Sequence, residues 1–195
     1  MRMLLIVFLR IQNQPQLVCG SEIDPDERRD KVIRLLGILL AGGLLTACVT
    51  AELRTQFDAG AAAYIFEEGD ATVRGQAFLR RRNGEVVRAA GEVVNLIPAK
   101  EYAIERFHVL YRGEKFAQFA PRIEDTPQAY LDAVRQTTSD ADGNFAFENI
   151  APGRYIIQTQ LYWDVPNSIL PSGGSFYEET AVGQGQTVQL ILSGS

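Results

Sequence analysis

Residues 135–163 constrain the fold more than any other part of the chain. Arg135 to Ser139 reads as an extended run, Asp140-Ala-Asp-Gly143 as a turn, and Asn144-Phe-Ala-Phe-Glu148 alternates apolar with polar. Pro152-Gly153 makes a second turn. Beyond it Tyr155, Ile157, Thr159, Leu161 and Trp163 share one face, and Gln158, Gln160, Tyr162 and Asp164 share the other. Phe145 and Phe147, two apart, enter the core, and so does the Trp163 face.

The same period of two extends on both sides. From Ala71, the residues Val73, Gly75, Ala77 and Leu79 alternate with Arg74, Gln76, Phe78 and Arg80. Asn83-Gly84 then marks a hairpin whose return runs from Glu85 to Ala90. Gly91 to Ile97 is a further strand, with Val94 and Leu96 on one side, ended by Pro98. Ala103, Phe107 and Leu110 recur at helical spacing and predict a short helix over 100–112. Gln128 to Val134 reads equally as a helical turn or as strand. Residues 164–185, with their glycines, prolines and serines, read as a long loop, and Val188, Leu190 and Leu192 place a last strand over 187–192. Many short strands with regular turn signals predict a mainly β, antiparallel β-sandwich with one short helix over residues 71–195.

Before the sandwich the sequence has another character. Arg28, Arg29, Lys31 and Arg34 precede an apolar run from Leu35 to Leu45, which meets Thr46-Ala47-Cys48. Basic residues, a short apolar stretch and small residues in that order describe a secretory signal, and the stretch is shorter than the roughly 20 residues of a bilayer-spanning helix. Leu45-Thr-Ala-Cys48 resembles the lipobox of bacterial lipoproteins. That resemblance implies cleavage before Cys48, acylation of its thiol and durable anchoring by several acyl chains. Val49 in place of Asp resembles outer-membrane-sorted lipoproteins, which implies a cell-envelope location on the periplasmic face of the outer membrane. Residues 1–31 fit a signal poorly: either translation starts downstream, with Val32 as a candidate, or 1–31 is an extended leader. Residues 48–70, including Ala59-Gly-Ala-Ala-Ala63, read as a lipid-anchored tether.

The run from Thr137 to Ile157 resembles carboxypeptidase regulatory-like domains, which have a transthyretin-like (prealbumin-like) sandwich. The matching residues are Asp140, Gly143, Phe145, Phe147, Ile150, Pro152-Gly153 and Tyr155. The resemblance covers about residues 71–193 and carries many functions.

Candidate sites are few. Net charge is −5, so an excess of basic residues for nucleic acid is absent. Asp140-Ala-Asp142-Gly-Asn144 has its glycine two places too early for an EF-hand loop and reads as a hairpin turn. His108, the single histidine, has too few companions for a metal site and reads as a half-exposed helix residue. There is no H-x-x-E, H-E-x-x-H or G-x-S-x-G, and the C-terminal Tyr-Arg-Gly-Ser of transthyretin-like hydrolases is replaced by Leu192-Ser-Gly-Ser195. The expectation is a non-catalytic chain without metal or cofactor. Its partners are membrane lipid through Cys48 and an envelope protein or glycan. Tyr162, Phe176 and Tyr177 are the candidate ligand-binding residues, exposed aromatic rings of the kind a sugar face packs against. Arg80-Arg81-Arg82 is a charged hairpin tip, solvated or facing anionic headgroups.

Overall fold

The structure, a computed structural model, describes residues 50–166 and 168–194. The leader over 1–47 and the lipidation candidate Cys48 lie outside the described residues. The described residues form one compact unit.

Two sheets pack face to face. The larger has five strands in the order β5 (Phe116–Ala117), β10 (Ser172–Val182), β9 (Gly153–Trp163), β4 (Val93–Pro98) and β7 (Arg135–Thr138), all antiparallel. The smaller is built around β2 (Glu68–Arg80). Strand β8 (Asn144–Ile150) and the short β3 (Val86–Arg88) pair antiparallel with successive parts of β2, and β11 (Thr187–Leu192) runs parallel to it. The mainly β sandwich predicted from the turns is therefore present, with one parallel pair in it; β1 (Thr50–Ala51) and β6 (Arg122–Ile123) form a separate short parallel pair.

The inward faces are those that the alternation marked. Val73, Ala77 and Leu79 from β2, Phe145 and Phe147 from β8, Val94 and Leu96 from β4, and Tyr155, Ile157 and Leu161 from β9 form one buried cluster. Gly75 sits where a Cβ would come within 2.6 Å of the Phe145 ring, so only glycine admits that ring between β2 and β8. At the Asp140 turn, Gly143 takes φ +79 and the Asp140 carboxylate accepts N–H bonds from Asp142 and Asn144 at 2.9 and 2.8 Å. The side-chain amide of Asn144 also donates to it, and these bonds, that of Asn144 first, hold its carboxyl below the usual range.

Part of the larger sheet is buried on both faces. Helix α2, which follows helix α1 (Ala59–Ala62), spans Glu101–Tyr111 and lays Tyr102, Ala103, Phe107 and Tyr111 over Ile97, Ile156 and Tyr177. Gln128–Asp132 is a helical turn, α3, because Tyr130 turns inward to join this cluster. Two expectations are corrected here. Within the tether expected over 48–70, residues 53–70 are not free: Leu53 and Phe57 pack into the helix-side cluster, Ala62 and Ile65 into the sandwich core, and β2 already begins at Glu68. The Glu105 carboxylate fixes the segment to α2 by accepting the Arg54 and Thr55 N–H groups at 2.9 and 2.8 Å. The second correction is that 164–185 is not one loop, since β10 occupies its middle.

That strand escaped a period-two reading for a physical reason. Its inward positions are Gly174, Phe176, Glu178, Thr180 and Val182, and its outward ones include Gly173, Ser175, Tyr177 and Glu179. Each face carries glycine and glutamate as well as an aromatic ring, so neither is continuously apolar.

Candidate functional site

Helix α2 covers one half of the outer face of the larger sheet and leaves the other half open. On the open half, Asn95 of β4 lies directly between Gln136 of β7 and Gln158 of β9. Neighbouring strands are about 4.8 Å apart, which suits carboxamide-to-carboxamide bonding. Gln136 Nε2 donates to Asn95 Oδ1 at 2.8 Å, and Asn95 Nδ2 donates to Gln158 Oε1 at 2.6 Å. Gln158 Nε2 reaches diagonally to Ser175 Oγ at 2.7 Å, and Ser175 Oγ meets Tyr111 OH at 2.5 Å. A row of polar side chains thus crosses four strands and ends on the helix.

The row is both ordered and unsaturated. All its amides point their N–H groups the same way, so each bond polarises the next. An amide carries two donor hydrogens and an oxygen with two lone pairs, and within the row Asn95 uses one of each. Burial pushes the Tyr111 phenol up to about 12 against the pull of its bonds with Ser175 and Gln158, so this end of the row keeps its proton. No carboxylate, histidine or cysteine belongs to the row.

Tyr162 stands beside it, 43% exposed, on the same face of β9. Opposite Tyr162 on β10 is Gly173, at φ +105, so no side chain screens the ring from that strand. Gln160 between Tyr162 and Gln158 is exposed, and Val93 adds a 44% exposed apolar edge. The surface therefore combines one aromatic ring, a small apolar edge and a line of amides with free capacity. It is suited to a neutral, hydroxyl-rich ligand.

The other sequence candidates are placed differently. Phe176 is fully buried in the sandwich core and Tyr177 is buried beneath α2, so neither is an exposed binding ring, and the structure does not bring them together with Tyr162. Trp163 is half-buried at the rim of the core, with the Arg81 guanidinium 5.0 Å from its ring centre. His108 is exposed on α2. Asn95, Gln136 and Gln160 were not sequence candidates. Alternation places each on a strand face, but only the register aligns them, and register is not written in any one strand.

No family model matches the chain, and no curated protein matches it. Among solved structures it is similar to a candidate carbohydrate-binding protein from Pseudomonas aeruginosa, with a TM-score of 0.59 and 23% identity, over 71% of this chain and 98% of that one. Weaker likenesses are to chlorocatechol 1,2-dioxygenase from Pseudomonas putida (TM-score 0.23, 12% identity, 73% of this chain and 63% of that one) and catechol 1,2-dioxygenase from Pseudomonas arvilla C-1 (0.22, 11%, 75% and 56%). At 23% identity the likeness to the Pseudomonas aeruginosa protein is one of fold.

Proposed function

We propose that this chain is a non-catalytic lipoprotein of the bacterial envelope, anchored through Cys48, whose sandwich is a transthyretin-like, carboxypeptidase regulatory-like domain that binds carbohydrate on the open face of its larger sheet. The observation that carries the binding reading is the amide row Gln136–Asn95–Gln158 beside the exposed ring of Tyr162. A sugar presents C–H faces that pack on an aromatic ring and hydroxyls that both donate and accept, which is the pairing capacity that side-chain amides offer. The Pseudomonas aeruginosa protein, described as a candidate carbohydrate-binding protein, adds support to this reading over a protein partner.

Polysaccharide affinity gels and a glycan array test it. Tyr162→Ala is expected to weaken retention by about tenfold or more while leaving the melting temperature within a few degrees, because the ring is exposed. Gln160→Ala should weaken it less. Wild-type protein retained by no glycan would remove the carbohydrate reading and return the open face to a protein partner.

The anchoring reading has its own check. The intact mass of membrane-extracted protein is expected to equal residues 48–195 plus acyl chains, and Cys48→Ser should abolish both the acyl mass and the cleavage. An unmodified full-length mass would overturn export and anchoring together, and would leave the binding face untouched.

A further inference from the structure

The β2–β3 and β9–β10 connections leave the sandwich at the same end, where Arg81 and Trp163 touch. A cleft of about 850 Å³ opens there, walled by Arg80, Arg81, Arg82, Trp163 and Gln118. From Cys48 onward the chain is acidic, with 13 Lys and Arg against 19 Asp and Glu, yet three consecutive arginines stand at this end. Arg81 is bound to Glu85 at 2.8 Å, and among the described residues Arg80 and Arg82 make no ion pair.

Exposed apolar side chains follow the cleft residues Trp163 and Gln118 in the chain. Ile169 and Leu170, in the β9–β10 connection, are 101% and 57% exposed, and Phe119, next to the cleft residue Gln118, is 63% exposed. Single exposed apolar residues are ordinary; several around a set of uncompensated cations are not. Trp163 in the cleft wall is a ring with an apolar body and one N–H, the kind of side chain that settles at a membrane–water boundary.

We propose that this end of the sandwich docks on an anionic phospholipid surface, with Ile169, Leu170 and Phe119 entering the acyl boundary and Arg80 and Arg82 pairing with headgroup phosphates. Apolar insertion and basic contacts each contribute modest affinity, and together they fix an orientation. The proposal does not depend on acylation, and its test omits the acyl group so that the two readings fail separately. It is also separate from the amide row, none of whose residues it uses.

Trp163 is the single tryptophan of the chain, so its fluorescence reports this end alone. The full chain carrying Cys48→Ser is titrated with vesicles of phosphatidylcholine, and with vesicles containing about one third phosphatidylglycerol. The expected result is a blue shift and quenching by brominated acyl chains that appear with the anionic vesicles. Arg80→Gln with Arg82→Gln should raise the lipid concentration needed by about tenfold or more. Ile169→Ser with Leu170→Ser should abolish the brominated-lipid quenching. All four side chains are exposed, and an unchanged melting curve confirms that the variants fold. Absence of any Trp163 response to anionic vesicles overturns the proposal. A response that survives both double substitutions also overturns it, because the lipid contact then lies elsewhere in the chain. A response to a soluble acidic oligosaccharide but to neither vesicle overturns it in favour of an anionic glycan in the cleft.

Discussion

Phe176→Ala is expected to destabilise the domain by about 3–5 kcal/mol, the usual cost of removing a fully buried ring. The ring is 0% exposed and belongs to the sandwich core, and its neighbours on β9 are held in register with it. In a domain of this size that corresponds to a melting temperature lower by roughly 10 °C or more. The measurement is a thermal or urea melt beside Tyr162→Ala, which removes an aromatic ring from the exposed face. A small effect from Phe176→Ala, equal to that of Tyr162→Ala, would mean that β10 is not packed between β9 and β5. Glycan binding by refolded Phe176→Ala should survive wherever the protein is folded, since Phe176 faces away from the amide row.

Alkaline unfolding is the second large effect. Burial pushes the phenols of Tyr111 and Tyr130 up to about 12, while an unfolded tyrosine ionises near 10. The folded state therefore binds these protons more tightly than the unfolded one does. Their contribution is fully present below pH 10 and is lost as the pH rises through 12, at roughly 2 kcal/mol or more for each phenol. Burial also raises Tyr64, Tyr155 and Tyr177, in the same direction. Urea midpoints should be flat from neutral pH to about 10 and then fall steeply. Tyrosinate absorbance should show a fraction that appears only as the chain unfolds. Midpoints unchanged at pH 12 would contradict the burial of these rings under and around α2.

The parts of this fold that one strand's own pattern determines were legible in the sequence. Phe145 and Phe147, Tyr155 to Leu161, and Val73 to Leu79 each present a face whose alternation needs no partner to be seen, and each occupies the core. Asn83-Gly84 and Asp142-Gly143 marked their turns because φ of +88 and +79 favours glycine. Strand β10 was not legible, because glycine and glutamate interrupt the apolar residues on each of its faces and leave no apolar face to contrast with a polar one. Residues 52–70 misled for a related reason. Their small and scattered apolar side chains look like a linker until Leu53, Phe57, Ala62 and Ile65 are seen to fill gaps beneath a helix and at a sandwich edge. Of the open face, Tyr162 could be chosen from alternation, whereas Phe176 and Tyr177 were chosen from a false loop. The amide row depends on the cross-strand pairing of three strands distant in sequence, so it became visible only with their register.

The parallel pairing of β11 with β2 bears on when this protein can fold. Thr187 to Leu192 lie beside Thr72 to Ala77, so a strand near the start of the sandwich waits for one near its end. A chain that emerges in sequence order during synthesis holds β2 with one edge unpaired until residues 187–192 have arrived. Contacts of such long separation form slowly, and an unpaired edge invites pairing with other chains. During that interval the molecule depends on whatever shields unfolded chains in its compartment. A version ending before β11 would remain in that state, prone to aggregation even with nearly all its core residues present.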